Sequence, residues 1–180
     1  MQTKGAQSTM AGLFLYAAII QGAIAAVVTF LGAVGDVIGV LPVAASRVIA
    51  GGSAGTWFVM GYLTYLIVGV VAMAVTSMFY FFIETVQGRS YKGAAKALSW
   101  IHLVLGNIGV AGAALAAMWG GYWGAVAMSP TNVGGGGGTT ANAHLFLVVV
   151  EYPIVAFLIL GLIGFFAGGL GYLIAMRSKH

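Results

Sequence analysis

The sequence predicts an all-α integral membrane protein with four transmembrane helices and with both the N and C termini in the cytoplasm. Of its 180 residues, 61% are hydrophobic and only 6% are charged, whereas roughly a quarter are charged in soluble domains. So few charges cannot cover a water-facing surface, so lipid must cover most of the protein. The chain also divides into four apolar runs, each at or above the roughly 20 residues that cross a bilayer.

The four runs belong to a single transmembrane domain that covers residues 1–180. We expect the spans, in chain order, at residues 10–34, 57–83, 100–128 and 144–176. Residues 1–10 are polar and precede a run too long for a cleaved signal peptide, so we expect them to be the mature start.

Three connections join the spans. Residues 35–56 are predicted to form an outer segment at the membrane interface, for which a short helix is one interpretation, and residues 84–99 a short polar loop. Residues 129–143 are predicted to form a second outer loop, and their glycine run 134–138 is expected to be flexible because it has no side chains to bury.

The basic residues predict the orientation of the helices. In a four-span arrangement, six of them fall on one side: Lys4, Arg89, Lys92, Lys96, Arg177 and Lys179. Arg47 alone falls on the other side. Cytoplasmic loops of membrane proteins carry an excess of Lys and Arg, so the side with six is predicted to be cytoplasmic. The net charge of +4 is therefore a topology signal, and no nucleic-acid partner is expected.

Glycine recurs at helical spacing in the last two spans. The third span contains Gly106 and Gly109, and the fourth contains Gly164 and Gly168. In lipid, helices associate where small residues let their backbones approach closely. Packing within the chain is the favoured interpretation, and docking onto another subunit remains open.

Glu151 is an ionisable residue about two turns inside the fourth span. His144 lies seven residues earlier and shares its face, and Pro153 frees a backbone carbonyl near the same level. Ionisable groups inside a membrane are candidates for function, so a proton, cation or quinone site is one interpretation. A neutral Glu151 held by a neighbouring helix or partner subunit is the favoured one.

The remaining polar candidates lie in the third span. His102 is predicted at its cytoplasmic start and His144 at the outer start of the fourth span, so the two cannot ligate one metal. Three scattered His, three carboxylates and no Cys argue against a metal centre held by this chain alone. Asn107 is expected to bond to another helix. No phosphate loop or nucleophile elbow is present, so no soluble enzyme is expected.

Residues 30–69 contain a pattern of glycines and apolar residues that resembles a known family. The motifs are Phe30-Leu-Gly-Ala-Val-Gly-Asp-Val-Ile-Gly-Val-Leu-Pro42, then Gly55-Thr56, then Gly61-Tyr62-Leu63-Thr64, and then Gly69. Together they resemble the large subunit of haem–copper oxidases and nitric oxide reductases. The aromatic residues 79–82, the loop at Gly88-Arg89 and residues 100–122 also resemble the following parts of that subunit.

The ligand positions of that family are changed in this chain. The family's His-Gly-Thr signature falls on Ala54, Gly55 and Thr56. The two haem-ligating histidines of its Ala-His-x-His signature fall on Tyr62 and Thr64, and Thr is not a usual axial ligand. The resemblance therefore implies a truncated, haem-free relative of roughly the last third of the large subunit, with no catalytic, cofactor-binding or metal-ligating residue of its own.

The resemblance implies a non-catalytic integral membrane subunit of a respiratory terminal oxidase or of a related membrane electron-transfer complex. Its expected location is the cell membrane of a prokaryote. Its expected partners are other integral membrane subunits that carry haem and copper, together with lipid and, as a further candidate, a quinone.

Two alternative functions remain open. One is a small homo-oligomeric transporter or channel, against which the mostly apolar spans argue. The other is a helper subunit of a copper membrane monooxygenase, which the sequence does not distinguish from an oxidase helper.

Overall fold

The computed structural model describes residues 9–177, which fold into a helical bundle without a β-strand. Four of the helices are long and apolar enough to cross a membrane: α1 (Thr9–Val34), α3 (Ala54–Val86), α4 (Gly93–Met128) and α5 (Thr140–Arg177). A short helix, α2 (Ala45–Ala50), and a 3-10 turn (Thr131–Val133) lie in the connections. Lys4, Lys179 and His180 lie outside the described residues.

The four long helices run alternately up and down, in the predicted order. Along α4 and α5, for example, Gly124 faces Ala143 near one end and Gly106 faces Gly164 farther along, which is an antiparallel arrangement. We call the end of the bundle that contains residues 87–92 the basic end. The opposite end, which contains residues 134–138, is the glycine-rich end.

The helices extend beyond the predicted spans. α4 begins at Gly93 rather than at residue 100, which reduces the predicted polar loop 84–99 to residues 87–92. Residues 94–98 are mostly strong helix formers, so the helix continues past the end of the apolar run. At about 1.5 Å per residue, the 36 residues of α4 measure about 54 Å, well above a hydrocarbon thickness of about 30 Å.

The predicted outer segment 35–56 contains helical structure. It contains α2 and, from Ala54 onward, the first residues of α3. Residues 35–43 form successive turns before α2. Val43 and Val48 of this segment are almost fully buried and pack against the glycine-rich end of α4. The segment therefore covers that end of the bundle.

α4 is the central helix of the bundle. It packs against α3 on one side and α5 on the other, whereas α1 packs mainly against α3. α5 has its extensive contacts with α4 alone, and most of its large apolar side chains remain exposed. One side of α5 is therefore uncovered in the isolated chain.

The contact between α4 and α5 is a seam of glycines. A Cβ atom added to Gly109 would collide with the backbone of Gly161, and one added to Gly164 would collide with the backbone of Gly106. A Cβ added to Gly168 would likewise strike a side chain of α4. The four glycines singled out in the sequence thus all lie in one helix contact within the chain.

α3 contains two π-helical segments, Tyr65–Val71 and Phe82–Val86. Over much of the helix its buried positions recur every four residues, at Gly61, Tyr65, Gly69, Met73 and Ser77. In a straight α-helix of 3.6 residues per turn, four residues turn about 40° more than one full turn. After four such steps, the fifth position would therefore point about 160° away from the first. π turns contain more residues and keep this row facing the neighbouring helices.

The connection between α4 and α5, which was expected to be flexible because of its glycines, contains several backbone hydrogen bonds. The amide of Gly138 donates to the carbonyl of Ala127 at 2.8 Å, one of the last carbonyls of the helix, which lie beyond its regular hydrogen-bond pattern. Gly134 has a φ of +86°, and a Cβ there would strike the carbonyl of Pro42. In the loop between α4 and α5, glycine therefore permits close approach of one backbone segment to another.

Candidate functional site

A groove of about 510 Å³ lies between the start of α3 and the first half of α5. His144, Glu151 and the indole of Trp57 line it together with aliphatic side chains, namely Leu147, Val148, Val150, Ile154, Val155 and Leu158. His144 and Glu151 are both exposed on the surface of the bundle. The groove therefore opens outward, away from the helix core.

The seven-residue spacing on α5 explains why these two polar groups lie in one groove. Seven residues make nearly two turns of an α-helix, so both side chains leave the same face. Pro153 lies inside the helix and has no N–H to donate to the carbonyl of Val149, four residues earlier. The carbonyl of Val149, close to Glu151 along the helix, therefore lacks its usual helical hydrogen-bond donor.

His102 lies in the closed interior near the basic end, and not in a groove. The sequence predicts His102 at the start of the third span. The helix begins earlier, at Gly93, so His102 lies well inside it. The residue is 3% exposed, and its Nδ1 lies 3.2 Å from the hydroxyl oxygen of Tyr80. Among the described residues its Nε2 has no hydrogen-bond partner. Its ring neighbours are Phe14, Tyr80, Phe165 and Tyr172.

Tyr91 extends this aromatic cluster into the connection 87–92. Its ring centroid lies 5.0 Å from that of Tyr80 and 6.4 Å from that of Tyr172. Burial raises the pKa of the Tyr91 hydroxyl, and nearby Tyr80 and Glu84 add to the effect. The hydroxyl is therefore uncharged near neutral pH. Because the cluster is filled with side chains, its evident role is to join the helices at the basic end.

Asn107 joins a polar network near the middle of the bundle. The Nε2 of Gln21 donates to the Oδ1 of Asn107 at 3.4 Å, and the Nδ2 of Asn107 donates to the carbonyl of Leu103 at 2.7 Å. The hydroxyl of Tyr65 donates to the Oε1 of Gln21. Asn107 thus has the interhelical partner that the sequence required, but Gln21 and Tyr65 were not foreseen. The polar Gln21 within an apolar run was the available signal.

Tyr62 and Thr64, the positions of the family's haem ligands, point in different directions. Two residues apart on a helix are rotated by about 200°, and Tyr62 is partly buried whereas Thr64 is exposed. The hydroxyls of Tyr62 and Thr29 lie 2.6 Å apart and share a hydrogen bond between α3 and α1. Within residues 9–177 no three His, Asp or Glu side chains converge into a possible metal site.

No protein-family model matches the chain, and no curated protein or solved structure matches it significantly. Its function must therefore be inferred from the outward-facing groove, the closed polar core and the pattern of the sequence.

Proposed function

We propose that the chain is a multi-pass protein of the cell membrane of a prokaryote, with its basic end and both termini in the cytoplasm. The support is the distribution of charge along an up-and-down bundle. Arg89, Lys92, Lys96 and Arg177 belong to the basic end, and Arg47 to the opposite end, as the excess of basic residues in cytoplasmic loops requires. The glycine-rich end and the groove with Glu151 then belong to the outer half.

Within that membrane, the proposed function is that of a non-catalytic subunit of a respiratory terminal oxidase of the haem–copper type, or of a related electron-transfer complex. The observation that carries the subunit role is the outward position of Glu151. Six apolar residues separate it from His144, and a carboxyl group at such a depth is costly to leave against lipid. A neighbouring subunit, or a molecule bound between the two, would remove this cost.

The oxidase assignment draws on the sequence resemblance and its altered ligand positions. Tyr62 stands at one haem-ligand position, and its hydroxyl is engaged with Thr29. Thr64 stands at the other and is exposed. Haem, copper and electron transport accordingly belong to partner subunits in this proposal. The present chain packs against them through the uncovered side of α5.

The two alternatives differ in how well the geometry supports them. A homo-oligomeric transporter needs polar side chains that line a path, whereas Gln21, Tyr65 and Asn107 bond to one another inside the bundle. A helper subunit of a copper membrane monooxygenase would use the same helix faces as an oxidase helper. The metal content of the partner subunit distinguishes the monooxygenase helper from the oxidase helper.

Purification of an affinity-tagged chain from native membranes in mild detergent tests the proposal, with membranes from the untagged strain as the control. We expect integral membrane subunits to copurify with it, together with haem absorption bands and copper. The proposal would be overturned by an intact chain recovered without any haem-bearing or metal-bearing partner. Copper without haem would favour the monooxygenase helper, and solute flux into liposomes that contain the chain alone would favour the transporter.

A further inference from the structure

The two polar side chains of the groove leave one face of α5 at a backbone spacing that the helix fixes. Seven residues correspond to an axial rise of about 10.5 Å between their Cα atoms. Both side chains lean toward the N-terminus of the helix, so a separation of the same order between their polar ends is within their reach. Leu147 lies between them on the same face. A molecule that reaches both polar groups must therefore be apolar in the middle and polar at two opposite ends.

This separation matches a six-membered ring with oxygens at opposite (para) positions. In a quinol the C–O bonds are single and longer than a carbonyl bond, so those oxygens are about 5–6 Å apart. Two hydrogen bonds of about 2.8 Å each extend the distance between the flanking protein atoms to at most about 11 Å. Oxygens in a meta arrangement lie closer together and off the ring axis, so they would not reach both residues in line.

The remainder of the groove suits a flat ring with a hydrocarbon tail. Trp57 offers an aromatic face for stacking, and the other lining residues are aliphatic. The volume of about 510 Å³ lies within the range of roughly 300–1,000 Å³ for small-molecule sites. Because the groove opens outward, a tail attached to the ring remains in the surrounding lipid.

We propose that this groove binds the head group of a lipid-soluble para-quinol. One quinol hydroxyl donates a hydrogen bond to a carboxyl oxygen of Glu151, and the other donates to a ring nitrogen of His144. Trp57 stacks on the ring. The biological meaning of the site rests on the proposed function, since a quinol would bring electrons to a partner subunit through the bilayer. The binding itself is a property of the isolated chain.

Binding of decylhydroquinone to the purified chain in lipid nanodiscs, kept under argon, tests the proposal. Tryptophan quenching and equilibrium dialysis should both show saturable binding. Glu151→Leu and His144→Phe should each weaken it about tenfold, because each removes one hydrogen-bond acceptor for the ligand. Asp36→Leu, a matched change of an exposed carboxyl group outside the groove, should leave it unchanged. Circular dichroism and gel filtration check that each variant is folded.

The meta isomer, decylresorcinol, has the same tail and the same number of hydroxyls, so it tests the spacing. We expect it to bind about tenfold more weakly than decylhydroquinone, because it reaches only one of the two residues. Equal binding of the isomers, unchanged binding in both groove variants, or no saturable binding would overturn the proposal. A groove that holds only hydrocarbon or a partner helix gives these results.

The outcome is separable from that of the purification experiment. Saturable, Glu151-dependent binding without haem-bearing partners would leave the quinol site standing and remove the oxidase assignment. Haem-bearing partners without such binding would support the oxidase assignment and remove the quinol site.

Discussion

The hydroxyl of Tyr65 in α3 donates a hydrogen bond to the side-chain carbonyl of Gln21 in α1. Tyr65 is fully buried and Gln21 is 8% exposed, so neither polar group has water as a substitute partner. Tyr65 is also the first residue of the π-helical segment Tyr65–Val71. Together with Asn107 the bond between Tyr65 and Gln21 connects α1, α3 and α4 at mid-depth.

Tyr65→Phe should lower the free energy of unfolding by about 0.6–1.7 kcal/mol, the range of side-chain hydrogen bonds between membrane helices. Unfolding in mixed detergent micelles measures the change. Gln21→Leu combined with Tyr65→Phe should cost less than the sum of the two single changes, because either one already breaks the bond. Tyr152→Phe is the control, since Tyr152 is 79% exposed. Strict additivity would show that the two side chains are not coupled.

Gly168→Ala should destabilise the protein by about 1–3 kcal/mol through overpacking. Its new methyl group would meet the imidazole of His102, which cannot move aside because aromatic rings enclose it. Gly169→Ala is the matched control on the next residue, where a Cβ meets nothing within 4 Å. Because Ala is the better helix former, this control should be neutral or stabilising. Thermal unfolding followed by circular dichroism compares them, and equal melting temperatures would contradict the close contact at His102.

Gly109 and Gly161 face each other across the seam but should respond differently to the same substitution. A Cβ on Gly109 would collide with the backbone of Gly161, whereas one on Gly161 would find its nearest neighbour at an ordinary 3.7 Å. Gly109→Ala should therefore cost about 1–3 kcal/mol, and Gly161→Ala much less. Unfolding in micelles measures both, and a larger loss from Gly161→Ala would mean that the register of the seam is different.

Gly134→Ala should cost more stability than Gly39→Ala. Both residues have a positive φ, +86° and +72°, so Ala pays a conformational cost of about 1–2 kcal/mol at either position. Only at Gly134 does the methyl group also strike a backbone carbonyl, that of Pro42, and relieving the collision costs about 1–3 kcal/mol more. Chemical unfolding gives the difference. Equal losses would indicate that the glycine connection does not rest on residues 35–43.

The number and order of the four long apolar helices were predictable because apolar length is a property of each segment alone. The shared face of His144 and Glu151 was predictable for the same reason, since helical periodicity fixes it. The ends of the helices were not predictable, because residues such as Ala94 and Ala95 extend α4 beyond its apolar run. Hydropathy indicates which part of a helix is apolar, whereas backbone hydrogen bonding determines where the helix begins.

Contacts made by residues from different helices could not be read from the sequence. Nothing near Tyr80, Tyr91 or Tyr172 indicates that their rings meet around His102, because they come from separate segments and no spacing relates them. The contacts of the glycine run 134–138 were not predictable for another reason. Missing side chains permit flexibility but equally permit close backbone packing, and only the neighbours decide between the two.

The π-helical segment Tyr65–Val71 has a consequence for how the length of this chain can change. Twelve residue steps separate Tyr65 from Ser77, and in an ordinary α-helix they would turn Ser77 about 120° past three full turns. Removing one residue from the π-helical segment would let an ordinary helix form there, and the eleven remaining steps would end only about 20° past three full turns. Ser77 would then still face the carbonyl of Ala11, to which it now donates at 2.7 Å, and Tyr80 would still face His102. The loss of one residue should therefore be tolerated in this segment, whereas the same loss from a helix without a π turn rotates every later position by about 100°.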